Sequence, residues 1–386
     1  MREGPLRIGM VAAEPSGDLL AAHLIAALKA RRPGSEFAGI GGPRMAAQGF
    51  VSHVPIEQLS VRGYAEVLRH YGRIMGIRRN LARELVAERP DLFIGVDSGD
   101  FNLGLERRLR EAGIPAMHYV SPSIWAWRGW RIKKIARSVD HILVMVPFEE
   151  PLYRKAGIPV TYVGHPLADV IPEDPKKDEA RAQLRLPAGR LIVALLPGSR
   201  RSEMHYMAEA FILAAHRFRQ EVHDVHFVCP TVTRETRDLF ERALHRQQRT
   251  DLPLTVLFGH SHEALAAADL AIVASGTATL ETALFKTPMV IAYRQSPITW
   301  ALMRSMLYLP YVGMPNILAG ERLVPELLQD EATPAGLAAA LLALHRDQAA
   351  QRRQVERFRE FHALLRQNTA AKAADAVLGV LEKKNG

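Results

Sequence analysis

The sequence predicts an α/β fold made of two doubly wound domains. Short apolar runs at 8–13, 37–40, 92–96, 116–120 and 142–146 alternate with helical patterns at 19–30, 74–88, 103–112 and 132–138. The alternation returns after residue 190, with apolar runs at 191–196, 226–229, 255–258, 270–274 and 289–293. Between the two halves, 171–179 is polar and charged and carries two prolines, as a linker or surface loop does. Unbroken apolar runs of this length mark strands buried on both faces, and the helices between them make neighbouring strands parallel. The expected domains are 1–168 and 169–345. A helical segment, 346–386, is expected to pack back on an N-terminal domain, its own or a partner's. In such folds ligands bind at the carboxyl ends of the strands, so the turns after each apolar run are the places to search.

The first run ends in Glu14-Pro-Ser16-Gly-Asp18 and opens a helix. Asp18 is placed to interact with helix N–H groups, while Glu14 and Ser16 face a strand end. The run Gly39-Ile-Gly-Gly-Pro-Arg44-Met fails as a dinucleotide loop, because Arg44 holds the place of the third glycine. It reads as a close-approach loop. The strand at 92–96 leads into Asp97-Ser-Gly-Asp100-Phe-Asn102. A carboxylate at that strand end is placed to act as a general base, whereas Asp100 and Asn102 are expected to cap the next helix. After 116–120 comes a loop with Ser121, Trp125, Trp127 and Arg128, a candidate surface for sugar stacking or acyl contact and, alternatively, a satellite core.

In the second half, a Gly-Ser turn follows 191–196 and precedes Arg200. A guanidinium there is suited to a leaving diphosphate. The run 270–274 breaks at Ser275, Gly276 and Thr277 before another helix. Backbone N–H groups and the helix dipole at such a turn suit a phosphate. Glu281, one turn on, is placed to accept from the hydroxyls of a ribose. The alternative for this stretch is an ordinary strand–turn–helix junction with Thr277 as N-cap.

Composition narrows the function classes. The chain has 386 residues, 48% of them hydrophobic, enough for two cored domains. Lys and Arg outnumber Asp and Glu by 50 to 41, which favours anionic partners. No zinc-finger, basic-zipper or aromatic RNA-binding signature points to nucleic acid. One cysteine, Cys229, excludes an intramolecular disulfide and a cysteine-based metal cluster. His260 and His262 lack metal-motif spacing, and no metal is expected. Without a secretory pattern or a run of about 20 apolar residues, the protein is expected to be cytoplasmic. Two stretches, 67–79 with Arg73, Arg78 and Arg79, and 297–312 with Trp300, mix apolar and basic residues at helical spacing. They suit an anionic membrane surface. The alternative for both is a core-facing helix with a solvated basic edge.

Taken together, these segments resemble the lipid-A-disaccharide synthases of Gram-negative bacteria. The resemblance is carried by Glu14-Pro-Ser-Gly-Asp18, Gly42-Pro-Arg-Met45, Glu66-Val-Leu68, Asp97 with Asp100-Phe-Asn102, the tryptophan loop from His118 to Arg128, Pro147-Phe-Glu149, Gly164-His165, the 195–200 and 275–281 stretches, and Pro315-Asn-Ile-Leu-Ala-Gly320. Ala13 and Arg62 depart from the family's usual Gly and Met. The resemblance implies an inverting glycosyltransferase of the GT-B architecture, with two facing Rossmann-like domains. It implies transfer of 2,3-diacylglucosamine from its UDP conjugate to 2,3-diacylglucosamine 1-phosphate, giving a β-1,6-linked disaccharide and UDP. No cofactor or metal is implied. It also implies action as a peripheral protein on the inner face of the inner membrane, and dimers that exchange C-terminal segments. On this reading Asp97 is the base, with Arg200 on the diphosphate. Ser275, Gly276, Thr277, Glu281 and Asn316 hold UDP, and Glu14, Ser16, Asp100, Ser121, Trp125 and Trp127 line the acceptor side or cleft. The alternatives are a UDP-N-acetylglucosamine 2-epimerase-like enzyme and a non-catalytic protein that binds nucleotide sugars or anionic lipid.

Overall fold

The computed structural model of the protein describes residues 5–59, 64–126, 129–297, 300 and 308–385. Arg62, Trp127, Arg128 and residues 301–307 lie outside them. The described residues form two compact units. One is built from the described residues up to 169 together with 365–385, the other from the described residues of 170–364.

The first unit holds a parallel sheet of β1 (Arg7–Ala12), β2 (Glu36–Gly41), β3 (Phe50–Pro55), β4 (Leu92–Val96), β5 (Ala116–Tyr119), β6 (His141–Val144) and β7 (Val160–Tyr162). Their order is β3-β2-β1-β4-β5-β6-β7. The second unit holds β8 (Leu191–Leu196), β9 (Val225–Thr231), β10 (Leu254–Phe258), β11 (Leu270–Ala274), β12 (Met289–Tyr293) and β13 (Glu326–Leu328), in the order β10-β9-β8-β11-β12-β13. Every pairing is parallel. This is the Rossmann-like strand order. The chain reverses its winding between β1 and β4 in one sheet and between β8 and β11 in the other, and such switch points open a crevice at the strand ends.

The central strands are the unbroken apolar runs of the sequence, and β4 and β11 are buried at every residue. The edge strands β3, β7 and β13 were not expected, although the fourth edge strand, β10, was. Their apolar pattern is weaker because one edge lacks a partner, and β7 is only half-buried throughout.

The C-terminal helices divide between the units. Gln348–Leu365 lies almost wholly in the second unit, whereas Thr369–Asn385 joins the first. Two contacts fix the last helix. Asp169 accepts from the N–H groups of Asn368 at 2.9 Å and Thr369 at 2.7 Å, capping its start. Arg31 pairs with Asp375 at 2.8 Å across to the helix Pro15–Arg31. Ala373, Ala374, Val377 and Leu381 then enter the core beside Leu20, Leu24 and Leu28. Burying a side chain such as Val377 or Leu381 contributes about 2 kcal/mol.

Candidate active site

At the first switch point, β4 ends and Asp97 turns the chain into the helix Gly99–Glu111. Asp97 and Ser98 both take left-handed backbone, with φ of 55° and 45°. Two successive non-glycine residues in that region are costly, and such strain gathers at functional sites. Hydrogen bonds hold the turn. The N–H of Asp97 donates to the Tyr119 carbonyl at 2.8 Å, and Asp97 Oδ1 accepts from the N–H of Ser98 at 2.7 Å. The carboxylate is half-buried.

Asn102 does not cap this helix, as had been expected. It is fully buried, and its amide donates to the carbonyls of Asp97 at 2.8 Å, Val96 at 3.3 Å and Val11 at 3.4 Å. One side chain thus ties the ends of β1 and β4 to the turn. Asp100 is not a cap either. Its exposed carboxylate pairs with Arg131.

Glu14 and Ser16 are exposed at the start of the helix Pro15–Arg31. Asp18 does bond helix N–H groups, but those of another helix. It accepts from Gly42 at 2.8 Å, Arg44 at 3.0 Å and Met45 at 3.1 Å, so it caps Pro43–Ala47. Gly42 is the close approach: a Cβ there would lie 2.6 Å from Asp18 Oδ2.

The tryptophan loop is anchored by a buried carboxyl that the sequence reading did not assign. Trp125 Nε1 donates to Glu149 Oε1 at 2.9 Å, and its ring meets Phe148 edge-on at 5.1 Å. Burial pushes the Glu149 carboxyl up to about 7, against hydrogen bonds from Ser121, Val146 and Trp125 that pull it down. Ser121 was expected to face a ligand. Instead it is buried, with its hydroxyl oxygen 2.7 Å from Tyr153 Oη and 3.0 Å from Pro122 O. It faces inward because the loop needs internal partners for its polar groups.

At the second switch point, Arg200 begins the helix Arg201–Glu221 after β8. Glu203 folds back to accept from the N–H groups of Ser199 at 2.9 Å and Arg200 at 3.1 Å. Gly198, at φ 128°, makes room for it, since a Cβ there would strike Glu203. The Arg200 guanidinium is 72% exposed and 3.3 Å from Glu203. Such an exposed pair is weak, so the guanidinium is available to an anion.

After β11, Gly276 rather than Thr277 is the N-cap of the helix Thr277–Leu284, and among the described residues no side chain caps that start. Gly276 has φ 149° and Cβ room around it. Glu281 is half-buried; burial pushes its carboxyl up and the charge of nearby His262 opposes this. Asn316 was expected to meet the nucleotide, but it is fully buried. Its amide donates to Val324 O and Glu326 Oε1, each at 2.8 Å, and its carbonyl accepts from Val324 N at 2.8 Å. Glu326, unsuspected from sequence, also accepts from Val312 N at 3.1 Å and Gly313 N at 2.9 Å. That loop returns to the turn, where Ser275 Oγ donates to Val312 O at 3.0 Å. Asn316 and Glu326 therefore shape the phosphate-suited turn from behind.

The stretch 67–79 belongs to the helix Tyr64–Glu88. Further along that helix Leu81 and Leu85 enter the core, Ile74 and Ile77 are half-buried against it, and Tyr71 is exposed. Arg78 is half-buried and packs over Gly104, where a Cβ would collide with it. Arg73 and Arg79 are exposed. Trp300 is half-buried near Tyr293, with ring centres 6.1 Å apart.

Comparison with known proteins places this geometry. Residues 8–380 match the family described as lipid-A-disaccharide synthetase. The lipid-A-disaccharide synthase of Methylobacillus flagellatus is 52% identical over 375 residues, covering 97% of this chain and 99% of its own. That of Dechloromonas aromatica is 55% identical over 377 residues, covering 97% and 99%. Among solved structures, the calicheamicin glycosyltransferase CalG4 has a TM-score of 0.61 at 18% identity, covering 99% of both chains. The UDP-GlcNAc 2-epimerase of Neisseria meningitidis has a TM-score of 0.63 at 10% identity, covering 98% of this chain and all of its own. At these identities the two structures speak to the fold alone.

Proposed function

We infer the reaction from one premise: the chain belongs to the lipid-A-disaccharide synthetase family. It is an enzyme, a glycosyltransferase of GT-B architecture that makes the lipid A disaccharide. We propose that it transfers 2,3-diacylglucosamine from UDP-2,3-diacylglucosamine to 2,3-diacylglucosamine 1-phosphate. The acceptor 6-hydroxyl oxygen bonds to the anomeric carbon, the bond from that carbon to UDP breaks, and Asp97 takes the hydroxyl proton. UDP leaves with its negative charge, which Arg200 and the N–H groups at 275–277 stabilise. Glu281 holds the ribose. Asn316 acts through Glu326 on the loop behind the turn. Glu14 and Ser16 flank the base, and the Trp125 loop contacts the acceptor. Asp100 holds Arg131 beside that loop.

The observation that carries these roles is Asp97 itself, a half-buried carboxylate at a strand-order switch point, held in strained backbone. The epimerase reading rests on a likeness of fold only. A non-catalytic role leaves the strained carboxylate without a purpose.

No helix of the described residues is long and apolar enough to cross a membrane. On this reading the acyl chains of the substrates draw the enzyme to a membrane surface, with Arg73 and Arg79 toward lipid phosphates, and the family resemblance implies that this is the inner face of the inner membrane. Homodimers formed by exchange of the last helix belong to the same reading.

The test is direct. Asp97→Asn should abolish disaccharide formation and UDP release while leaving UDP affinity within about twofold, because an amide cannot take the proton. Near-normal kcat would move the base elsewhere, with Glu14 next.

A further inference from the structure

Behind the Asp97 turn lies a cluster that the reaction, as described, does not use. His118 of β5 and Glu106 of the helix Gly99–Glu111 are both fully buried, with Nδ1 and Oε1 2.6 Å apart. Gly95 of β4 stands in register beside His118. A Cβ on Gly95 would overlap Glu106 Oε1 and lie 2.8 Å from Asn102 Cβ, so glycine is what lets both side chains enter. Asn102 then reaches the Asp97 carbonyl.

Three atoms of this cluster, Asn102 Oδ1, Glu106 Oε2 and His118 Nε2, are buried with no hydrogen-bond partner among the described residues. Each such atom is costly, and a set of them in one place calls for an explanation other than packing. Apolar residues would fill the space at less cost.

We propose that Asn102, Glu106 and His118 are positioning residues for Asp97, fixing the strand-end turn on which its carboxylate stands. This rests on the reading of Asp97 as the base. Asn102 acts by hydrogen bond on the Asp97 carbonyl. His118 and Glu106 act by charge and by wedging the helix against the end of β4. Burial alone pushes the His118 imidazole down, but the charge and hydrogen bond of Glu106, with Asp97 adding to them, turn the net direction up. Burial pushes the Glu106 carboxyl up as well. The charged groups facing the pair are Asp97 from the strand end, Arg131 from the turn Gly129–Arg131 and Lys134 from the helix Ile132–Ser138. Asp100 is paired to Arg131.

The experiment compares Asn102→Ala, His118→Gln and the double variant Glu106→Met with His118→Leu, alongside Asp97→Asn. The double variant removes both polar partners at similar volume, which guards against a single variant that does not fold. Turnover is measured with both substrates across pH, and UDP affinity by calorimetry. All three cluster variants should lose about 10- to 100-fold in kcat, with both KM values and UDP affinity within about twofold. If Asn102→Ala and the folded double variant keep wild-type kcat, or change KM alone, the cluster is packing and the proposal falls. If Asp97→Asn itself turns over, the base assignment fails instead, whatever the cluster variants do.

Discussion

Replacing Glu149 by glutamine should change how the protein's stability depends on pH. The Glu149 carboxyl is only 4% exposed and lies under the Trp125 loop. Burial raises it from its ordinary 4.5 to about 7 in the folded protein. Between those values the folded protein binds a proton that the unfolded chain has released. The stability this confers is fully present below pH 4.5 and is lost as pH rises through 7, where the buried carboxyl must ionise. The gap corresponds to about 3 kcal/mol. Glutamine has no proton to lose, and it keeps an acceptor for Trp125 Nε1. Urea unfolding at pH 5 and pH 8, followed by far-ultraviolet circular dichroism and tryptophan fluorescence, measures the difference. Wild type should lose about 2 to 3 kcal/mol more than Glu149→Gln across that interval. Parallel pH profiles for the two proteins would refute the assignment of a buried, protonated carboxyl.

The other predictions concern close packing, the nucleotide turn and the membrane. Gly42→Ala should destabilise by about 1 to 3 kcal/mol, because its Cβ would lie 2.6 Å from Asp18 Oδ2, while its φ of −99° is open to alanine. An unchanged melting temperature would mean that Asp18 yields freely. Glu326→Gln should weaken UDP binding by about tenfold without touching the nucleotide, since a carboxylate accepting from three donors holds the loop behind Ser275. Calorimetry showing wild-type affinity would disconnect that loop from the site. Arg73→Ser with Arg79→Ser should reduce sedimentation with anionic vesicles by about fivefold per arginine at low salt, and high salt should erase the difference. Arg78→Ser should cost stability instead, and vesicle binding that ignores both exposed arginines would remove this helix from any membrane contact.

Much of the architecture was legible because its signals are local. An apolar run such as 270–274 must be a buried strand wherever it lies, and the turn after it must break the strand and begin a helix. The parallel strands and the positions of Asp97, Arg200 and 275–277 at strand ends follow from such local constraints, whereas the strand order and its switch points are set by the tertiary pairing. Three of the four edge strands, β3, β7 and β13, were harder, because a segment with an open edge is only partly apolar. The basic–apolar helix at 67–79 was ambiguous for a related reason: its periodicity shows that one face is buried, but not against what. Ile74 and Ile77 pack against the core, whereas Tyr71 stays exposed.

The sequence by itself determined the fold class, the family and the strand ends at which chemistry collects. The tertiary structure alone decided which polar groups meet. Asp18 caps a helix that begins 25 residues away, Asn102 ties two strand ends instead of capping its own helix, and Asn316 is spent on Glu326. Glu106 with His118 and Glu149 with Trp125 are pairs that no spacing rule joins. The physical reason is the same in each case. Apolar burial repeats with the period of the chain and leaves a pattern along it. A buried donor or acceptor needs one partner in space, and that partner can lie anywhere in the sequence.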